Sequence, residues 1–198
     1  MFVTFEGLDG SGKTTQIDLL RARLEADGHE VVVTREPGGT PLGEAIRRVV
    51  LEGPDMEPWP EAALFAAARS QIVADVIRPA LARGADVLCD RYVDSSLAYQ
   101  GIARGLGLER VLELNLDAVG GLMPDRTFLL AVDAGAAAAR VGDSPDRIER
   151  ETDDFRDRVA AAYLELAERW PERITVLDGS LSPDELAEQI HGALRSTA

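Results

Sequence analysis

Lysine, cysteine and asparagine each occur once in this chain, and each scarcity excludes something. With Cys89 alone no internal disulfide can form, so the core must hold the fold, and a lone thiol in an apolar stretch suits a reducing cytoplasm. The only asparagine, Asn115, is followed by Leu116, so the Asn-Lys-x-Asp motif with which GTPases read their base is missing. No apolar run approaches the length of a membrane span, so no membrane role is expected. Bases are outnumbered by acids, 21 to 35, for a net charge of -14, so the broad basic face that nucleic acid requires is missing. A small nucleotide remains possible, since it needs only a few local arginines. The acidity itself fits solubility or adaptation to salt. The chain enters a strand pattern at Met1-Phe2-Val3-Thr4-Phe5-Glu6, which is expected to leave no room for a signal peptide.

The one lysine is Lys13, and the other cations of the chain are all arginine. It stands in Gly7-Leu8-Asp9-Gly10-Ser11-Gly12-Lys13-Thr14, a complete G-x-x-x-x-G-K-[ST] loop with a strand pattern before it and a helix pattern after it. Glycine at 10 and 12 lets successive amides turn inward, and the helix start presents its positive dipole end to anions. An ammonium on a flexible stem reaches between two phosphates, whereas a planar guanidinium would crowd a tight loop. The Thr14 hydroxyl is a hard oxygen suited to Mg2+.

With 198 residues the chain fits a single domain, with no linker or repeat. Strand patterns at Phe2–Glu6, Val31–Thr34, Ala85–Asp90, Arg126–Val132 and Ile174–Leu177 alternate with helical ones. Thr14–Asp27 stops at Gly28. Thr40-Pro41 reads as a cap and first helical residue. Pro58-Trp59-Pro60 reads as a loop, and Glu61–Arg83 as a helix kinked or divided just before Pro79. A polar segment follows the third strand, then helices at about Leu108 to Ala118, at Ala134–Val141 and at Asp154–Trp170. Gly142–Arg150 reads as a polar loop, and Ser182-Pro183-Asp184-Glu185 as a capping box. The alternation predicts a parallel sheet of about five strands covered on both faces, with ligands at the carboxyl ends of the strands. Gly7–Thr14, Arg35–Thr40, Asp90–Tyr99 and the residues from Asp133 on should therefore face the site.

A phosphate loop does not name a reaction. Motor and transport ATPases end a strand in Asp-Glu, the second acid polarising water; here Val87-Leu88-Cys89-Asp90 is followed by Arg91. An arginine there suits a second phosphate better, and Arg35 and Arg69 fall on or near the same edge. Phe5-Glu6-Gly7-Leu8-Asp9-Gly10-Ser11-Gly12-Lys13-Thr14-Thr15, then Thr34-Arg35-Glu36-Pro37-Gly38-Gly39-Thr40, Asp90-Arg91-Tyr92 and Asp146-Arg147-Ile148-Glu149 together resemble the thymidylate kinase family, in order over essentially the whole chain.

The resemblance implies a three-layer P-loop kinase fold, MgATP as donor, dTMP as acceptor and a homodimer. It places ATP on Gly7, Leu8, Asp9, Gly10, Ser11, Gly12, Lys13 and Thr14, with Arg140 in support, and Mg2+ near Thr14 and Asp90. It implies that Arg35 and Arg91 take the dTMP phosphate, and that Asp9 faces the sugar. Phe65 would stack on thymine and Arg69 would donate to its O4, where the amine of cytosine would meet donor with donor. Ser96, Tyr99 and Gln100 would line the base and deoxyribose, where a tyrosine crowds a 2′-hydroxyl. Gly142–Arg150 corresponds to a mobile lid. Some members carry a catalytic arginine inside the phosphate loop; Gly10 stands at that position here, so the part is expected to fall to Arg147, with Arg140 and Arg150 beside it. Catalysis is expected to involve Lys13, Arg91 and Arg147 with no general base, since neither His29 nor His191 lies on the predicted edge. Another nucleoside monophosphate kinase, or an NTP-dependent switch without phosphoryl transfer, would share the loop.

Overall fold

A computed structural model describes residues 1–138, 140 and 146–195. Its sheet has five parallel strands: β1 (Phe2–Glu6), β2 (Val31–Arg35), β3 (Asp86–Asp90), β4 (Arg126–Ala131) and β5 (Ile174–Asp178), in the order β2-β3-β1-β4-β5. Side chains alternate between two cores, as the period of a strand requires. Phe2, Val87, Cys89 and Leu129 face one way; Val3, Phe5, Leu88, Phe128 and Leu130 face the other. The second set is covered by Ile17, Leu20 and Leu24 of α1 (Lys13–Ala26) and by Leu186 and Ile190 of α9 (Pro183–Arg195). This is the expected three-layer α/β arrangement.

Helices α2 (Pro41–Glu52), α3 (Pro58–Ile72), α4 (Arg78–Ala82), α5 (Val93–Ser96), α6 (Leu108–Val119), α7 (Ala134–Ala138) and α8 (Asp153–Arg169) complete the described elements. The Thr40 hydroxyl accepts from the Gly43 amide at 2.9 Å, and Ser182 and Glu185 cap one another, as the sequence predicts. Two expectations change. Pro58-Trp59-Pro60 is the first turn of α3 rather than a loop, because proline at a helix start has no hydrogen bond to lose. The polar segment after β3 is also helical: α5 continues into a wide π-type turn over Leu97–Ala103. Its buried face mixes Val93, Leu97 and Ala98 with Asp94, Ser96 and Gln100, which hides the apolar stripe from a sequence reading. A second wide turn, Val73–Ile77, divides α3 from α4 just before Pro79, as its ring and missing N–H demand.

Connections from β1 and β3 leave toward opposite sides of the sheet. Such a switch point opens a crevice between adjacent strand ends. The register sets Phe5 beside Asp90 and Asp90 beside Arg35, so three strand ends meet there.

Candidate functional site

A cleft of about 630 Å³ lies on this edge, bordered by the loop after β1, by Arg35, Asp90 and Arg91, and by Phe65. Gly12 precedes α1 with no side-chain cap, leaving the first-turn amides free for an anion. Gly10 and Gly12 hold φ at 80° and 96°, the left-handed region expected of them. At Gly10 space is decisive as well: an added Cβ would lie 2.3 Å from the Ala137 carbonyl of α7. Lys13 is 6% exposed and its Nζ donates to the carbonyls of Leu8 at 2.9 Å and Gly7 at 3.2 Å. Burial and the Arg91 charge lower its pKa to about 8. Leu8 serves through that carbonyl, its side chain being buried in the core.

Arg91 has φ 68°, a strained value for an arginine, held by its amide on Phe5 O at 3.0 Å and by the Tyr92 amide on Glu6 at 2.8 Å. The turn aims the guanidinium into the cleft. It meets Asp9 at 2.7 Å and the hydroxyls of Ser95 and Tyr163 at 3.1 Å, with the Tyr99 ring 5.5 Å away. Burial would raise Asp9, but the charges of Arg91 and Lys13 prevail and hold it at about 2. Glu6, behind Arg91, accepts from Ser95 at 2.6 Å and Tyr163 at 2.9 Å, and burial with the Asp94 charge pushes it up to about 7. Arg35, exposed at the end of β2, is steadied by Glu44 at 3.2 Å.

Phe65, Ser96, Tyr99 and Gln100 border the cleft together. Arg69 stands behind them at 1% exposure. Its Nε donates to Glu36 at 2.6 Å, Nη1 to Ser96 at 2.8 Å and to Asn115, and Nη2 to Tyr92 O at 2.9 Å. Four of its five N–H groups are thus engaged within the protein.

Arg147, expected over the reacting groups, is held elsewhere. It is 6% exposed, with Nε on Val50 O at 2.8 Å and Nη2 on Glu61 at 2.6 Å. Glu61 is buried and also accepts from Gln100 at 2.9 Å and Arg104 at 3.2 Å; burial raises its pKa but these bonds lower it further. A buried carboxylate demands cations, and Arg147 is one of those that answer. Arg140 does border the cleft, its Nη1 donating to Gly10 O at 3.4 Å. Arg150 is exposed. Within the expected lid, Gly142, Asp143, Ser144 and Pro145 lie outside the described residues, while Asp146 closes a turn through the amides of Ile148 and Glu149.

The oxygens present fit Mg2+. Thr14 offers an exposed hydroxyl, and Asp90 has a buried Oδ1 with no hydrogen-bond partner among the described residues. No cluster of three or more His, Cys, Asp or Glu side chains placed to hold a metal occurs among those residues.

Sequence reasoning missed Arg47, which borders the cleft with Nη1 on Pro37 O at 2.9 Å, and Tyr163, which reaches Arg91 from α8. Arg47 lies one turn beyond Glu44 on α2, a spacing that could have found it. Tyr163 carried no local signal, since it meets Arg91 across 72 residues of chain.

The thymidylate kinase family model matches residues 5–190. A thymidylate kinase of Deinococcus radiodurans is 50% identical over 198 residues, covering 98% of this chain and 96% of that protein. Another, of Bifidobacterium longum, is 49% identical over 203 residues, covering 100% and 98%. One of Pelotomaculum thermopropionicum is 52% identical over 184 residues, covering 90% and 85%. No described helix is long and apolar enough to cross a membrane.

Proposed function

The chain belongs to the thymidylate kinase family, and we propose that it transfers the terminal phosphoryl group of ATP to dTMP, giving ADP and dTDP. The observation that carries this is the pairing of two anion sites in one cleft: the loop with Lys13 after β1, and Arg91 with Arg35 at the two neighbouring strand ends. A switch or a water-directed ATPase needs only the first.

The acceptor is a phosphate oxygen with second pKa about 6, already ionised at neutral pH, so no general base is required. Neither histidine borders the cleft. The residues act by positioning and by neutralising charge around a loose transition state, with the attacking and leaving oxygens in line. Lys13 and the loop amides hold the donor, and Arg91 and Arg35 hold the acceptor. Mg2+, held through Thr14 and Asp90, supplies neutralising charge at the donor phosphates when bound. Arg140, already at the loop, takes the part of the lid arginine, and Arg147 anchors the lid's far end on Glu61. Phe65 stacks on thymine. Arg69 serves O4 through its remaining N–H and through the Ser96 hydroxyl it holds. Gln100 lines the base, Asp9 the sugar, and Tyr99 crowds a 2′-hydroxyl.

The same reading makes the protein a cytoplasmic homodimer, without nucleic acid or membrane as partner. Leu42 and Val49, two turns apart on α2 and 48% and 47% exposed, support a protein partner on that face. Light scattering on the purified chain tests it. A coupled assay of ADP release tests the activity: turnover should require dTMP and fall with dUMP, CMP and AMP. ADP release indifferent to dTMP would overturn the reading.

A further inference from the structure

Three oxygens beneath Arg91 each lie within hydrogen-bonding distance of the other two. Glu6 Oε2 is 2.6 Å from the Ser95 hydroxyl and 2.9 Å from that of Tyr163, and the two hydroxyls are 2.8 Å apart. Each edge of this triangle needs a proton, and Ser95 and Tyr163 bring one apiece. With Glu6 ionised, one pair of oxygens would face each other at close range with nothing between them. Arg91 cannot supply the shortage, because its Nη1 reaches both hydroxyls from outside the ring and occupies lone pairs only. The third proton therefore belongs to Glu6. Its place on the carboxyl follows too: Oε1 accepts from the Tyr92 amide at 2.8 Å, so Oε1 serves as the carbonyl oxygen and Oε2 carries the hydroxyl.

The surroundings agree with a neutral acid. Glu6 is fully buried, and burial with the charge of Asp94 on α5 raises its pKa against the pull of Arg91. Asp94 itself is gripped by Arg173 at 2.6 and 2.8 Å. Lys13, Arg173 and Glu36 also share a field with Glu6, the two cations favouring its ionisation and Glu36 opposing it. Tyr99, Tyr163 and Cys89, which burial keeps protonated, add no charge. The consequence falls on Arg91. Ionised Asp9, at 2.7 Å, already sets one negative charge against it. A second from Glu6 would turn the group into a net anion at the place where a phosphate must bind.

We propose that Glu6 is a positioning residue of the acceptor site that works as a neutral carboxylic acid, closing the ring with Ser95 and Tyr163 and leaving the charge of Arg91 to the acceptor phosphate. This rests on the kinase reading above and adds to it the protonation state in which the site binds. Infrared difference spectra of the native chain against Glu6→Gln, without substrate, should show the C=O stretch of a protonated acid at pH 6 that fades by pH 9. At saturating ATP, which keeps Lys13 charged, the KM for dTMP should climb about tenfold between pH 6.5 and pH 9 as Glu6 ionises. Glu6→Ala should raise that KM by about tenfold or more at every pH, with kcat changed less. Glu6→Gln should rescue most of the loss and flatten the pH profile, since its carbonyl keeps the Tyr92 amide and its NH2 replaces the acid hydroxyl. Should Glu6→Ala fail to fold, the Glu6→Gln profile and the spectra decide alone. A carboxylate role demands the opposite, with Glu6→Gln as poor as Glu6→Ala and a native KM level to pH 9. Either result overturns the inference, as does a native spectrum without the acid band at pH 6. If dTMP-dependent turnover is missing altogether, the kinase reading falls and takes the role of the proton with it, while the infrared band still decides whether the proton is there.

Discussion

Glu36 accepts the Nε–H of Arg69 at 2.6 Å in a pair whose side chains are 3% and 1% exposed. Burial raises Glu36 to about 7 against the downward pull of Arg69. Between pH 4.5 and 7 the folded protein therefore keeps a proton that the unfolded chain has released. The contribution of Glu36 to stability is fully present below the lower value and is lost as pH rises through the higher one. Urea unfolding of the native chain and Glu36→Gln at pH 5 and pH 7.5 should show the difference between them move against the native chain by up to about 3 kcal/mol. A difference independent of pH would mean that Arg69 keeps Glu36 ionised throughout.

Lys13 is shifted in the direction that opposes its own charge. With the pKa at about 8, the ligand-free protein loses the ammonium above that pH, and the triphosphate must bring a proton back with it. The KM for ATP should therefore climb above pH 8, approaching tenfold per pH unit. Lys13→Ala should lower kcat about a thousandfold, keep a native circular dichroism spectrum and lose the alkaline rise in KM. Near-native turnover in that variant would remove Lys13 from the mechanism.

Arg140 and Arg147 should separate by what they change. Arg140→Ala should lower kcat by about a hundredfold or more with little effect on unfolding or on dTMP binding. Arg147→Ala leaves Glu61 its bonds to Arg104 and Gln100, yet removes a buried cation, so a loss of about 2 kcal/mol in unfolding free energy is expected. The reverse pattern, with Arg147→Ala unchanged in stability but defective in kcat, would restore the transferring group to Arg147.

Glu61 holds Gln100 by its Nε2 at 2.9 Å, so it should position the base-lining amide without touching a substrate. Glu61→Gln should raise the KM for dTMP several-fold more than it lowers kcat, because the misplaced amide weakens ground-state and transition-state binding alike. The KM for ATP serves as the control and should stay within about twofold.

The sheet, the loop and the strand-end arginines were legible in the sequence because each follows from local pattern: alternation, glycine spacing, a cation just after a strand. Arg69 and Arg147 were also recognisable by motif, but not their surroundings. A motif names a residue type at a place in the chain, whereas direction depends on which buried carboxylate lies across the fold. Glu36 and Glu61 stand 33 and 86 residues away from the arginines they hold. The helix after β3 stayed hidden for a related reason. Its buried Asp94 is matched by Arg173, 79 residues downstream, so a core position reads as a polar one.

Gly10 and the Ala137 carbonyl leave no room between them for a β-carbon. An arginine in this phosphate loop at position 10 cannot be accommodated by one substitution. A side chain at position 10 would strike the Ala137 carbonyl before it reached a phosphate, and α7 would have to retreat first. A single Gly10→Arg change should therefore cripple the protein rather than duplicate its charge. Position 10 is shut to any side chain by a steric barrier, and a lineage could cross it only after loosening the helix that now closes it.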